Sequence, residues 1–138
     1  METPILQRNI FQRILGICVT KPPSDEGCWT FANEKVTVDL ARAPELAEKG
    51  GAIRLEKKGL PERLLVMHGD DDNYHAFRNK CAHAGRRMDP VPGSQYVQCC
   101  SVGKSTFEYD GKRVSGSAKK NIQPRPVNVE GNKLVIAL

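Results

Sequence analysis

Two short stretches decide the fold: Cys81-Ala82-His83-Ala84-Gly85 and, fifteen residues after His83, Cys99-Cys100-Ser101-Val102-Gly103. Each lies in a loop. The first loop, 79–88, follows the run Tyr74 to Phe77, and the second, 97–104, follows Tyr96. In extended backbone the two ends of a Cys-x-His pair send their side chains the same way, so one loop offers two metal-type donors on one side. A second cysteine loop brought alongside by strand pairing completes a four-point site.

The flanking sequence supplies such strands. Val36, Val38 and Leu40 alternate with Thr37 and Asp39, and Ile53 and Leu55 alternate with Arg54 and Glu56, which predicts half-buried strands. Leu64 to Met67 and Tyr74 to Phe77 flank Gly69-Asp70-Asp71-Asp72-Asn73 as a hairpin. Further strands are expected at Tyr96 to Cys99, Thr106 to Tyr109, Arg113-Val114, Val127 to Val129 and Leu134 to Ala137. Between the first two, Pro44 to Lys49 before Gly50-Gly51 fits one or two helical turns. Many short strands separated by glycine turns indicate an all-β fold of antiparallel sheets, a sandwich or barrel.

The first thirty-three residues read as an extension to a domain at 34–138. Thr3 and Pro4 suit a helix start, Leu6, Ile10 and Ile14 recur at helical spacing, and Gly16 suits its end. A proline-containing loop flanked by Cys18 and Cys28 follows, with Trp29 expected to anchor the extension on the sheets.

Composition narrows the function classes. The chain has 138 residues, net charge +5 and five cysteines. It is long enough to bury a core without cross-links, and no apolar run approaches the ~20 residues of a membrane span. The N-terminus lacks signal-peptide character, so a cytoplasmic location is expected, where a disulfide framework is not. Aromatic residues make up 6% and do not interleave with the basic ones, which argues against nucleic acid as a partner. His68 and His75 read as surface or satisfied core residues. Gly103-Lys104-Ser105 is no phosphate loop, because the glycine required five residues earlier is Gln98.

With these motifs the chain resembles the Rieske family of [2Fe-2S] domains over about residues 34–138. That family pairs a Cys-x-His-x-Gly box with a Cys-x-x-His-Gly box. Phe107-Glu108-Tyr109-Asp110-Gly111, Ser115-Gly116-Ser117-Ala118 and Pro126 to Gly131 match its later landmarks in order. The resemblance implies a [2Fe-2S] cofactor with Cys81 on the inner iron and His83 on the outer one.

The second box departs from the pattern. Its histidine position is Val102 counted from Cys99, or Gly103 counted from Cys100, and neither binds iron. Gly103 favours the first register and the distance to Phe107 the second. The family rule pairs Cys81 with Cys99 or Cys100, and the other cysteine of that pair is one candidate for the vacant position. Adjacent residues of a strand point opposite ways, so both serve one cluster only if the loop turns between them. Cys18 or Cys28 is another candidate, and a fold that has lost its cluster is the third. Zinc on Cys81, His83, Cys99 and Cys100 is set against the absence of Cys-x-x-Cys knuckles.

The expected function is that of a soluble single-electron carrier with a modified cluster, a component rather than a stand-alone enzyme. Its potential is lowered because thiolate replaces imidazole. Arg86, Arg87 and Lys104 are expected to offer a basic rim to an acidic reductase or oxygenase partner. The alternative is a cluster-free interaction module, similar to the small subunit of NADH-dependent nitrite reductases.

Overall fold

The run Leu64-Leu65-Val66-Met67-His68 is buried at every position. A half-buried strand would alternate, so this pattern marks a strand covered on both faces. The computed structural model describes residues 18–57, 59–80, 86–91, 93–100, 105–116 and 120–138. In it β4 (Leu64–His68) lies inside the middle one of three layers. Leu64 and Val66 face one core with Trp29, Val38, Ile53 and Ile136. Leu65 and Met67 face a second core with Phe77, Met88, Val97 and Phe107.

Three four-stranded antiparallel sheets make up these layers among the described residues. The first has the order β1-β2-β12-β11, from β1 (Trp29–Ala32), β2 (Lys35–Asp39), β12 (Lys133–Ala137) and β11 (Val127–Glu130). The middle sheet runs β10-β5-β4-β3, with β10 (Pro124–Arg125), β5 (Tyr74–Arg78) and β3 (Ala52–Leu55). The third runs β6-β7-β8-β9, from β6 (Met88–Pro90), β7 (Tyr96–Cys99), β8 (Thr106–Glu108) and β9 (Arg113–Ser115). This is the all-β antiparallel architecture that the alternating pattern predicts.

Most strands fall where the alternation places them, and β1, β6 and β10 are additions. The last two are short and proline-containing, which confines them to sheet edges, and each is an edge strand here. β1 pairs with β2 through the two-residue turn Asn33-Glu34, both at positive φ as a tight hairpin turn requires. Trp29 is therefore a core residue at the start of a strand, 1% exposed. The expected helical turns at 44–49 are one short 3-10 turn, Pro44–Leu46, before Gly50 at φ +88, and Leu40, expected in the preceding strand, instead opens another 3-10 turn, Leu40–Arg42. The N-terminal helix expected from Thr3 lies outside the described residues.

Candidate metal centre

The third sheet sets out the site by register. Met88 lies opposite Cys99 and Asp89 opposite Gln98, while Gln98 lies opposite Thr106. Paired residues share a face and neighbours in a strand alternate. Met88, Val97, Cys99 and Phe107 therefore face the second core, and Asp89, Gln98, Cys100 and Thr106 take the other side of the ladder. The ladder continues past β7, where the Cys99 N–H donates to the Ser105 carbonyl at 2.7 Å and the Cys100 N–H to the Arg87 carbonyl at 3.0 Å. The end of the first loop and both ends of the second are thereby tied to one end of one sheet. Asn79 ties the first loop at its base: its buried side-chain Oδ1 accepts from the Met88 N–H at 2.8 Å.

Cys81, His83, Gly85 and Lys104 lie outside the described residues. Of the remaining cysteines, Cys99 is buried in the second core. Cys100, fully buried on the opposite face, is joined to Cys18 by a disulfide with 5.4 Å between the Cα atoms. The expectation that the cysteines serve no disulfide framework is thus corrected at this one pair. The physical reason is that the segment 18–21 is strapped across the end of the third sheet. Asp89, 1% exposed, accepts the Val19 N–H at 2.7 Å and the Thr20 N–H at 2.8 Å on its two carboxylate oxygens. The Lys21 carbonyl accepts the Arg54 N–H at 3.1 Å. Cys28 is elsewhere, in the first core beside Trp29.

Cys18, Asp89 and Cys100 form a three-donor group whose ligand atoms all lie within 4.8 Å of one another. Sequence reasoning missed Asp89, which follows Arg86-Arg87 and precedes a proline and so reads as a surface charge. The available signal was its position two residues along the ladder from a cysteine, visible only once β6 is paired in register. The donor set suits a thiophilic metal in one state only. As a disulfide, Cys100 has no thiolate to give; as a dithiol, Cys18 and Cys100 offer two sulfurs beside a carboxylate.

The charges near the loops are partly paired. Arg87 makes a bidentate pair with Glu56 at 2.6 and 2.7 Å, so its charge is compensated. Hydrogen bonds from Arg87 hold the Glu56 carboxyl below its ordinary range, and the attraction of the Arg87, Arg54 and Arg63 charges adds to this. Arg63, Arg78 and Lys80 line a cleft of about 340 Å³ with Pro61 and Glu62. Burial, then the like charges of Arg87, Arg54 and Arg78, pushes the Arg63 guanidinium down from its usual value. His68 bonds to the Leu46 carbonyl and to Asp72, and His75 bonds to Asp71, so both are satisfied residues.

The joined ends of two loops, the first carrying Cys-x-His in its sequence, agree with a family match over most of the chain. Residues 37–136 match the Rieske [2Fe-2S] domain family. The chain belongs to this family. No curated protein matches it. Among solved structures it is similar to the ferredoxin of carbazole 1,9a-dioxygenase from Nocardioides aromaticivorans IC177, at 20% identity and TM-score 0.58, covering 73% of this chain and 96% of that one. A chain in a complex of reduced oxygenase and oxidized ferredoxin of carbazole 1,9a-dioxygenase gives 17% identity and TM-score 0.60, covering 77% and 94%. The plasma membrane Rieske protein of the cyanobacterium Synechocystis PCC 6803 gives 18% and 0.54, covering 64% and 87%. At these identities the likeness is one of fold. No helix among the described residues is long and apolar enough to cross a membrane.

Proposed function

We propose that this Rieske-family chain is a single-electron carrier that holds a [2Fe-2S] cluster between its two loops when Cys18 and Cys100 are thiols. In this reading Cys81 and Cys100 serve the inner iron and His83 the outer one. Cys18 takes the position left by the absent second-loop histidine, and Cys99 stays a core residue. The observation that carries the reading is the ladder joining the loop ends, with Met88 opposite Cys99 and the Cys100 N–H on the Arg87 carbonyl.

When bound, the cluster supplies a one-electron acceptor, and thiolate in place of imidazole lowers its potential relative to a two-histidine centre. The chain's own residues hold the first loop's base with Asn79, the second's with the Cys99 to Ser105 backbone bond, and Cys18 in place through Asp89. A cytoplasmic location belongs to this reading, since thiols there are kept reduced. The partner is a reductase or oxygenase with an acidic face. Arg86 and the Arg63, Arg78 and Lys80 cleft supply the complementary basic groups, and Lys104 adds one by its sequence position in the second loop.

A second reading has its own support. Val102 or Gly103 stands where a histidine is needed, and the sulfur of Cys100 is joined to Cys18. A cluster-free interaction module would tolerate both. Anaerobic reconstitution with iron and sulfide under a thiol reductant separates the two readings. The carrier is expected to take up about one cluster per chain and to give a rhombic EPR signal on reduction. Folded, colourless, iron-free protein would leave only the module.

A further inference from the structure

We propose that Cys18 and Cys100 are a reversible thiol–disulfide couple aligned by Asp89, and that the bond between them removes the sulfur that the second loop offers to a metal. Oxidation of the pair and loading of the centre then exclude each other. The second half of the proposal rests on the carrier reading; the first half does not.

Three features of the fold support the couple. Cys99 and Cys100 face opposite sides of the third sheet, and Cys99 is committed to the second core, so Cys100 is the second-loop sulfur on the side of Asp89. Among the described residues the other two cysteines lie in the two cores, Cys28 in the first and Cys99 in the second, so neither replaces that sulfur when it is in a disulfide. The strap that carries Cys18 does not depend on the S–S bond. Two backbone N–H groups bind the Asp89 carboxylate, and the Lys21 carbonyl binds the Arg54 N–H. Hydrogen bonds to a charged acceptor are among the stronger ones, so the reduced segment stays in place and the two thiols keep a high effective concentration. Finally, the two sulfurs differ in access, because Cys18 is half-buried and Cys100 fully buried.

The asymmetry gives the direction of the exchange. An external dithiol attacks the Cys18 sulfur as its thiolate, the S–S bond breaks, and Cys100 leaves as a thiolate that takes up a proton. The second thiol of the reductant then displaces Cys18. The reductant leaves as a disulfide, and two electrons have passed to the protein. Re-formation of the bond passes the same two electrons to an oxidised dithiol.

The test uses the full chain prepared without reductant, then treated with dithiothreitol, with thiols trapped by iodoacetamide and located by peptide mass spectrometry. Cys18 and Cys100 are expected to alkylate together and only after reduction. Disulfide re-formation on transfer to oxidised dithiothreitol is expected to slow about tenfold or more in Asp89→Ala, because the strap loses both hydrogen bonds. Reconstitution with iron and sulfide is expected to load the dithiol form and not the disulfide form. A bond that resists reduction in the folded protein, or Asp89→Ala re-forming it at the wild-type rate, overturns the couple. Equal loading of both forms overturns the exclusion. Loading of neither form, with reversible and Asp89-dependent thiol chemistry intact, removes the carrier reading and leaves the couple standing.

Discussion

The two faces of the third sheet are built from alternate residues of the same strands and do opposite things. On one face Met88, Val97, Cys99 and Phe107 join an apolar core that also holds Leu65, Met67 and Phe77. On the other, Asp89, Gln98, Cys100 and Thr106 are equally buried and polar or reactive. Gln98 Nε2 donates to the Thr106 hydroxyl at 2.9 Å, and Asp89 is satisfied by the strap. Burial alone therefore does not separate core from site. The partner of each buried atom does: the first face is held by packing and the second by named hydrogen bonds and one S–S bond.

The largest effect is expected on the packed face. Phe107→Ala removes a fully buried ring and should cost about 3–5 kcal/mol, read as a lower urea midpoint at unchanged slope. The thiol–disulfide behaviour of Cys18 and Cys100 should survive it wherever the protein remains folded. On the opposite face, Asp89→Ala leaves two backbone N–H groups without their charged acceptor and should cost roughly 2–3 kcal/mol. Asp89→Asn, which keeps one acceptor oxygen, should cost less. Equal losses in the two variants would show that the carboxylate's charge is not what holds the strap.

The adjacent cysteines give the sharpest contrast, because one step along the chain changes the face. Cys99→Ala removes a sulfur from the apolar core and is expected to cost about 1 kcal/mol while leaving cluster loading intact. Cys100→Ala should abolish loading and leave Cys18 alkylatable without reductant. Loss of loading in Cys99→Ala instead would reverse the assignment and place the metal on the inner face.

How much of this was legible from residues alone follows the same division. Period-two alternation announces the strands at 36–39 and 53–55, while the hairpin at 64–78 is legible from apolar runs on either side of the Gly69 to Asn73 turn. The site face carries no such period. Asp89 lies in a three-residue strand next to a proline, and Cys18 meets Cys100 across 82 positions of sequence. Local pattern does not encode a contact of that range; register does, and register becomes visible only when β6 is paired with β7. The choice between Cys99 and Cys100 was open for the same reason, since both fit a loop but only one fits each face.

The smallest effect concerns the point where the two faces end. The Arg87 carbonyl accepts the Cys100 N–H while its guanidinium is held by Glu56. The folded carboxyl of Glu56 lies below its ordinary value, chiefly through the hydrogen bonds from Arg87. Its contribution is therefore complete above the unfolded carboxylate pKa of about 4.3 and is lost as pH falls through the lower folded value. Because the pair is partly exposed, solvent screening keeps the contribution to about 1 kcal/mol or less. Stability measured by urea unfolding should fall across that acid window in the wild type and fall less in Glu56→Gln, whose amide does not titrate. Among the described residues the apolar face of Met88, Val97, Cys99 and Phe107 carries no carboxylate, so Phe107→Ala should shift this acid part of the pH curve down without changing its shape. A changed shape in that variant would show that the two faces are coupled through the strands they share.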